Sequence, residues 1–224
     1  MSALQRNSRS LVERYVLPPA EIERRSLALV DSALAGRFTG DERRVAGRIV
    51  YAAGDLNLAR SIRFSPGAVA AGVAALGSGC PVVTDVRMVL AGLDRARLDA
   101  LSCPVLCAID APGVALRATA SDLPRAVEAV RALKGSLDGA IAVIGNAPTA
   151  LFALLDLVDA GEVRPALIIG MPVGFIAAAE SKQALVERAI PCITVAGTRG
   201  GSPLGAAALN ALARLALPSV AGML

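Results

Sequence analysis

The sequence has no histidine and no tryptophan, and only two tyrosines and four phenylalanines. Zinc in proteins is held mostly by cysteine and histidine, so without histidine a zinc site here would need unusual ligands. The four cysteines are Cys80, Cys103, Cys107 and Cys192, with one CxxxC spacing between Cys103 and Cys107. They read as small buried hydrophobes near strands, kept reduced in a cytoplasmic setting, and no metal is expected. Lysine and arginine never run to five in a row. Nucleic-acid binders usually cluster their charge and carry stacking aromatics. The net charge of +4 fits an acidic small ligand as well as anything larger, and composition alone does not choose. No apolar stretch reaches the roughly 18 residues of a membrane span. The richest, 165–179, is interrupted by Gly170, Pro172 and Gly174. Residues 1–14 alternate charge and polarity with no apolar signal-peptide region. The expectation is a soluble, cytoplasmic protein with no membrane association.

Apolar residues make up 54% of the chain, and much of the excess over an ordinary globular protein is alanine, which suits close helix packing. Residues 1–17 read as a loosely held arm and 18–224 as one domain, since nothing resembles a linker or a repeat. Pro18-Pro19 opens a helix over 21–34, with Gly36 as its stop. Asp41 caps a second helix that runs to Tyr51 and ends near Gly54-Asp55. A helix then starts at Ser65-Pro66 and ends at Gly77 to Gly79. Short apolar strands follow at 81–84, 104–109, 140–144, 166–169 and 191–195. Helices lie between them over 85–93, 121–134, 148–160 and 177–189, and a last one covers 202–217. Continuous apolar strands alternating with helices predict an α/β fold, three-layer α/β/α, with a mostly parallel central sheet.

Ligands of such sheets bind at the carboxyl ends of the strands. Three glycine-rich turns fall there: Gly145-Asn146-Ala147-Pro148-Thr149, Gly170-Met171-Pro172-Val173-Gly174-Phe175 and Gly197-Thr198-Arg199-Gly200-Gly201-Ser202. Glycine lets backbone approach a ligand closely, and the N–H groups of a following helix start attract anions. The same glycines also suit plain tight turns. Neither GxxxxGK[ST] nor a GxGxxG after a strand is present, so neither nucleotide-binding fingerprint is met.

These turns carry a resemblance. Residues 145–151 resemble the GNAPTAL signature of the precorrin-8X methylmutase family. Residues 170–175, followed by Ala178-Ala179-Glu180-Ser181-Lys182, resemble its GMPVGFVGAAESK segment. Residues 191–195 with Gly200-Gly201-Ser202 resemble its closing PYITVRGRKGGS. The stretches 19–26 and 85–92 are similar to its first helix and its DVxMVxAGI segment. The resemblance covers about residues 15–217. It implies a homodimeric α/β/α isomerase of cobalamin biosynthesis that uses no cofactor. Such an enzyme moves a methyl group from C-11 to C-12 of a carboxylated tetrapyrrole, giving hydrogenobyrinate or its cobalt form, in a site at the dimer interface. It also implies a small-molecule partner and no nucleic acid.

The family's R-x-I-H-x-x-G-D segment corresponds here to residues 48–55, Arg48 to Asp55, so that Tyr51 stands where the histidine would be. The resemblance thus makes Tyr51 the catalytic candidate. Substrate contacts are expected from Arg48, Asp55, Arg87, Arg117, Asn146, Thr149, Gly170, Met171, Pro172, Val173, Gly174, Phe175, Glu180, Ser181, Lys182, Arg199, Gly200, Gly201 and Ser202. Asn146 and Thr149 are expected to cap a helix as well, Asp55 to cap a loop or orient Tyr51, and Glu180 and Lys182 to share an exposed helix face or touch the ligand. The GITRS-like turn of the family is replaced by Gly113-Val114-Ala115-Leu116-Arg117, and Ala196 stands where an arginine is usual. A phenol has a reference pKa near 10 against about 6.5 for imidazole, so it donates a hydrogen bond at neutral pH but is a weaker proton donor. Beside the isomerase reading stand two others: a neofunctionalised enzyme acting on a different polycyclic or aromatic substrate in the same pocket, and a non-catalytic corrinoid-binding protein.

Overall fold

Alternate residues along the central strands pack into opposite cores. Ile141 and Val143 join one buried cluster while Ala142 and Ile144 join another, and Leu167 and Ile169 part from Ile168 in the same way. This period of two, with every residue apolar, is what a sheet buried on both faces requires. The computed structural model of the chain describes residues 10–217. Its strands are β1 (Ile62–Phe64), β2 (Val82–Thr84), β3 (Val105–Leu106), β4 (Ile141–Ile144), β5 (Leu167–Gly170) and β6 (Cys192–Val195), arranged in the order β1-β6-β5-β4-β2-β3. All neighbours are parallel except β1, which runs antiparallel to β6 at the edge, Arg63 opposite Thr194. The α/β fold with a mostly parallel sheet flanked by helices is therefore as the sequence predicts.

Eleven α-helices are present among the described residues: α1 (Leu11–Tyr15), α2 (Pro19–Leu34), α3 (Gly40–Ala53), α4 (Ala68–Gly77), α5 (Arg87–Ala91), α6 (Arg95–Ala100), α7 (Val114–Ser121), α8 (Arg125–Ala132), α9 (Pro148–Asp159), α10 (Ala178–Val186) and α11 (Ser202–Ala216). One face of the sheet is covered by α3, α4 and α11 through residues such as Ile49, Leu76, Leu209 and Leu212. The other is covered by α8, α9 and α10 through Val130, Leu151, Leu154 and Leu185. No helix among the described residues is long and apolar enough to cross a membrane.

Several boundaries differ from the sequence reading. Thr39, not Asp41, precedes the first residue of α3, and Asp41 sits in its first turn. The helix expected over 121–134 is α8 and starts only at Arg125, because a separate, unexpected helix α7 ends at Ser121, Asp122 adopts a left-handed conformation (φ 52°) and Pro124 then sets the start of α8. Helix α6, capped by the Asp94 carboxylate on Arg97 N–H, and strand β1 were not foreseen. Three residues carry too little periodicity to announce a strand, and β1 exists because β6 offers it an edge. Within the expected arm, 11–15 form a short helix; residues 1–9 and 218–224 lie outside the described residues.

Candidate functional site at the carboxyl edge of the sheet

Asp85, directly after β2, is 1% exposed. Its Oδ1 accepts from Gly145 N–H at 2.9 Å, and its Oδ2 from Asn146 and Ala147 N–H at 2.8 and 2.9 Å. Burial pushes its carboxyl up from the usual range, and the three N–H donors oppose that shift. The expected helix over 85–93 thus begins only at Arg87, since Asp85 is spent on holding the neighbouring turn. Sequence reasoning missed this role. The clue was an acidic residue at the end of an apolar strand, where a charge needs a set of donors.

The turns after β5 and β6 are fastened to each other. Gly201 N–H donates to Met171 O at 2.8 Å and Gly174 N–H to Thr198 O at 3.1 Å. Gly200 lies so close beneath the other turn that a Cβ there would stand 2.4 Å from Pro172 O. Lys182 Nζ adds a third tie, donating to Arg199 O at 2.5 Å. From this pinned backbone the Arg199 guanidinium reaches the end of α3. There it pairs with Asp55 and donates to Ser61 Oγ at 3.0 Å. The other Asp55 oxygen caps Asn57 N–H at 2.9 Å. Gly54, in the left-handed region at φ 61°, closes α3 with its N–H on Tyr51 O. Tyr51 is 41% exposed, and the two alanines after it line a cleft of about 330 Å³ together with Asp55, Val173, Arg199 and Gly200.

Most of the expected site residues fall into three groups. Asp55, Val173, Arg199 and Gly200 line this cleft, while Tyr51 stands in the last turn of α3, just before the two alanines that line it. Arg87 and Arg117 stand further along the same edge, each paired with a protein carboxylate: Arg87 with Asp110 at 2.8 Å, and Arg117 with the buried Glu128 at 3.6 Å. The third group faces inward. Met171 belongs to the core, a Cβ on Gly170 would strike Leu185, and Pro172, Gly201, Ser181, Ser202 and Lys182 are buried. These residues shape the site from behind. The shared exposed face expected of Glu180 and Lys182 does not exist: Glu180 is exposed, but Lys182 is 1% exposed. Burial pulls its ammonium down to about 8, because the charged form is disfavoured away from water.

One further expectation is corrected, and one candidate lies apart from the cleft. Asn146 and Thr149 make no side-chain cap on α9, whose capping position is Ala147; the orphan N–H groups of that turn go to Asp85 instead. Arg48 pairs with Glu23 at 2.9 Å and lines a separate hollow of about 500 Å³ between α2, α3 and α11. That hollow is larger than the cleft, but its Arg43 and Arg48 are already held by Asp31 and Glu23.

Large apolar side chains stand exposed around the carboxyl edge: Phe175 (95%), Ile176 (87%), Leu116 (77%) and Met88 (63%), beside Val173 and Leu56. All four cysteines are free, and Cys80 is pushed up to about 12 by burial, which leaves it inert.

Comparison with known proteins is consistent across sequence and structure. The precorrin-8X methylmutase family model matches residues 21–215. A precorrin-8X methylmutase of Pseudomonas aeruginosa is 44% identical over 203 residues, 89% of this chain and 97% of that protein. A cobalt-precorrin-8 methylmutase of Priestia megaterium is 39% identical over 199 residues, 88% of each chain. The crystal structure of a precorrin-8X methylmutase from Thermus thermophilus superposes with a TM-score of 0.81 at 42% identity, covering 88% of this chain and 96% of the other.

Proposed function

The chain belongs to the precorrin-8X methylmutase family, and from that premise we propose that it catalyses the methyl shift from C-11 to C-12 of a carboxylated corrinoid macrocycle. The product is hydrogenobyrinate, or its cobalt form where the substrate carries cobalt. The observation that carries this reading to the residues is one cleft at the carboxyl edge lined by Asp55, Arg199, two interlocked glycine turns and the two alanines that follow Tyr51 in α3.

The reaction is intramolecular, so the protein has no group to add or remove; it has to bind the ring and polarise it. In this reading Tyr51 takes the family histidine's place and donates a hydrogen bond to the macrocycle. A phenol stays protonated at neutral pH, which suits a donor better than a proton carrier. Arg87, Arg117 and Arg199 receive the substrate's carboxylates by charge-assisted hydrogen bonds. Each guanidinium has five donors and is aimed by its own protein carboxylate, which leaves N–H groups for a second.

The active form is read as a homodimer. A cleft of about 330 Å³ lies at the low end of the roughly 300–1,000 Å³ usual for small-molecule sites, and a carboxylated tetrapyrrole needs more. The exposed Phe175, Ile176, Leu116 and Met88 would serve as ring walls and subunit contacts if a second copy closed over this edge. We place the enzyme in the cytoplasm, in keeping with its free cysteines.

The test is to add enzymatically generated precorrin-8 to the protein and follow the visible spectrum. The wild type is expected to produce the orange-pink hydrogenobyrinate chromophore, and Tyr51→Phe to lose roughly 10²-fold in rate, the lower range for a positioned donor. No conversion by the wild type would overturn the isomerase reading, and an unchanged rate in Tyr51→Phe would remove Tyr51 from the mechanism.

A further inference from the structure

A buried ammonium is costly, and a methionine of similar length would fill the same space without that cost. Lys182 is nevertheless a lysine at 1% exposure, with no carboxylate partner among the described residues and one recorded acceptor, the Arg199 carbonyl. Its neighbours on the turn are held by backbone groups: Thr198 O by Gly174 N–H, and Gly201 N–H by Met171 O. Lys182 supplies the one side-chain tie in this set, and it falls on the residue whose guanidinium crosses to Asp55 and Ser61.

We propose that Lys182 is a positioning residue: by holding the Arg199 carbonyl it aims the Arg199 guanidinium at Asp55 and so fixes the carboxyl end of α3, which presents Tyr51. The tie runs from α10 through the β6–α11 turn to α3, three elements joined by no covalent path shorter than the intervening chain. The consequence for turnover rests on the isomerase reading given above; the ordering of Tyr51 does not.

The absence of tryptophan makes a direct readout available. In a Tyr15→Phe background Tyr51 is the sole tyrosine, so its fluorescence quenching by acrylamide reports the order of the α3 end. Lys182→Met is expected to raise the quenching constant about twofold while the protein stays folded by circular dichroism. Lys182→Gln, which keeps a donor, is expected to restore most of the protection. In turnover, Lys182→Met and Asp55→Asn are each expected to lower kcat about tenfold with KM changed less than threefold. The double variant is expected to be no worse than the worse single variant, since both cut one connection. Quenching in Lys182→Met equal to that of the background protein, or losses in kcat that multiply in the double variant, would overturn the proposal. A wild type that binds but does not convert precorrin-8 would sink the isomerase reading alone, and the quenching comparison would still decide the role of Lys182.

Discussion

Lys182 lies on a linkage that can be signed. Its folded-state pKa is about 8, below the 10.5 of a free lysine, so between these values the unfolded chain holds the extra proton. Stability therefore rises with pH across that window, and below pH 8 the folded state carries the full cost of a buried charge. At 1.36 kcal/mol per pKa unit the cost is about 3 kcal/mol, and the hydrogen bond to Arg199 O returns roughly 1–2 of it. Lys182→Met is accordingly expected to be more stable than the wild type at pH 7 by about 1–2 kcal/mol. That advantage should vanish, and then reverse, as pH approaches 10.5. Urea denaturation of both proteins at pH 7 and pH 10 checks this; a variant less stable at pH 7 would show that the charge is stabilising in place.

At the scale of elements, the site is a junction of turns whose glycines do different jobs. At Gly200 the space is gone, with Pro172 O and Met171 O at 2.4 and 2.5 Å from where a Cβ would stand, both of them backbone. At Gly197 the space is open and only the backbone conformation, φ +81°, calls for glycine. Gly200→Ala is therefore expected to force the β5 and β6 turns apart and cost about 3 kcal/mol, the upper range for overpacking. Gly197→Ala is expected to cost only about 1 kcal/mol, the strain of a left-handed alanine. Thermal melts of the two variants side by side give the ranking, and equal losses would contradict it. The GNAPT turn is held differently again, by the carboxylate of Asp85, whereas the other two turns that the sequence marks out hold each other.

For the whole molecule, the unresolved balance is at the carboxyl edge, where Phe175 and Ile176 stand almost fully in water. Such a patch on one chain is a contact surface for something. Phe175→Asp is expected to leave the melting temperature of the isolated chain within a degree or two, because the side chain packs on little within it. On the homodimer proposed above, the same change is expected to shift sedimentation from dimer to monomer at micromolar concentration. A wild type that sediments as a monomer would leave the apolar rim to the ligand alone.

The sequence by itself determined the class of fold, since uninterrupted apolar strands alternating with helices can be buried only between two helical layers. It also placed the three glycine turns at strand ends, and among its candidates it picked out Asp55 and Arg199, which the fold pairs across one cleft. What only the tertiary structure decided was which residues of each segment are buried and which are exposed. Lys182, Ser181 and Met171 lie within one motif with Val173 and Phe175, yet the first three are buried and the last two exposed. A motif records order along the chain, whereas burial depends on which neighbours pack against each residue. The service of Asp85 to residues 60 positions away, and the strand β1 raised by the edge of β6, have the same cause: their partners are distant in sequence and become neighbours only when the sheet forms.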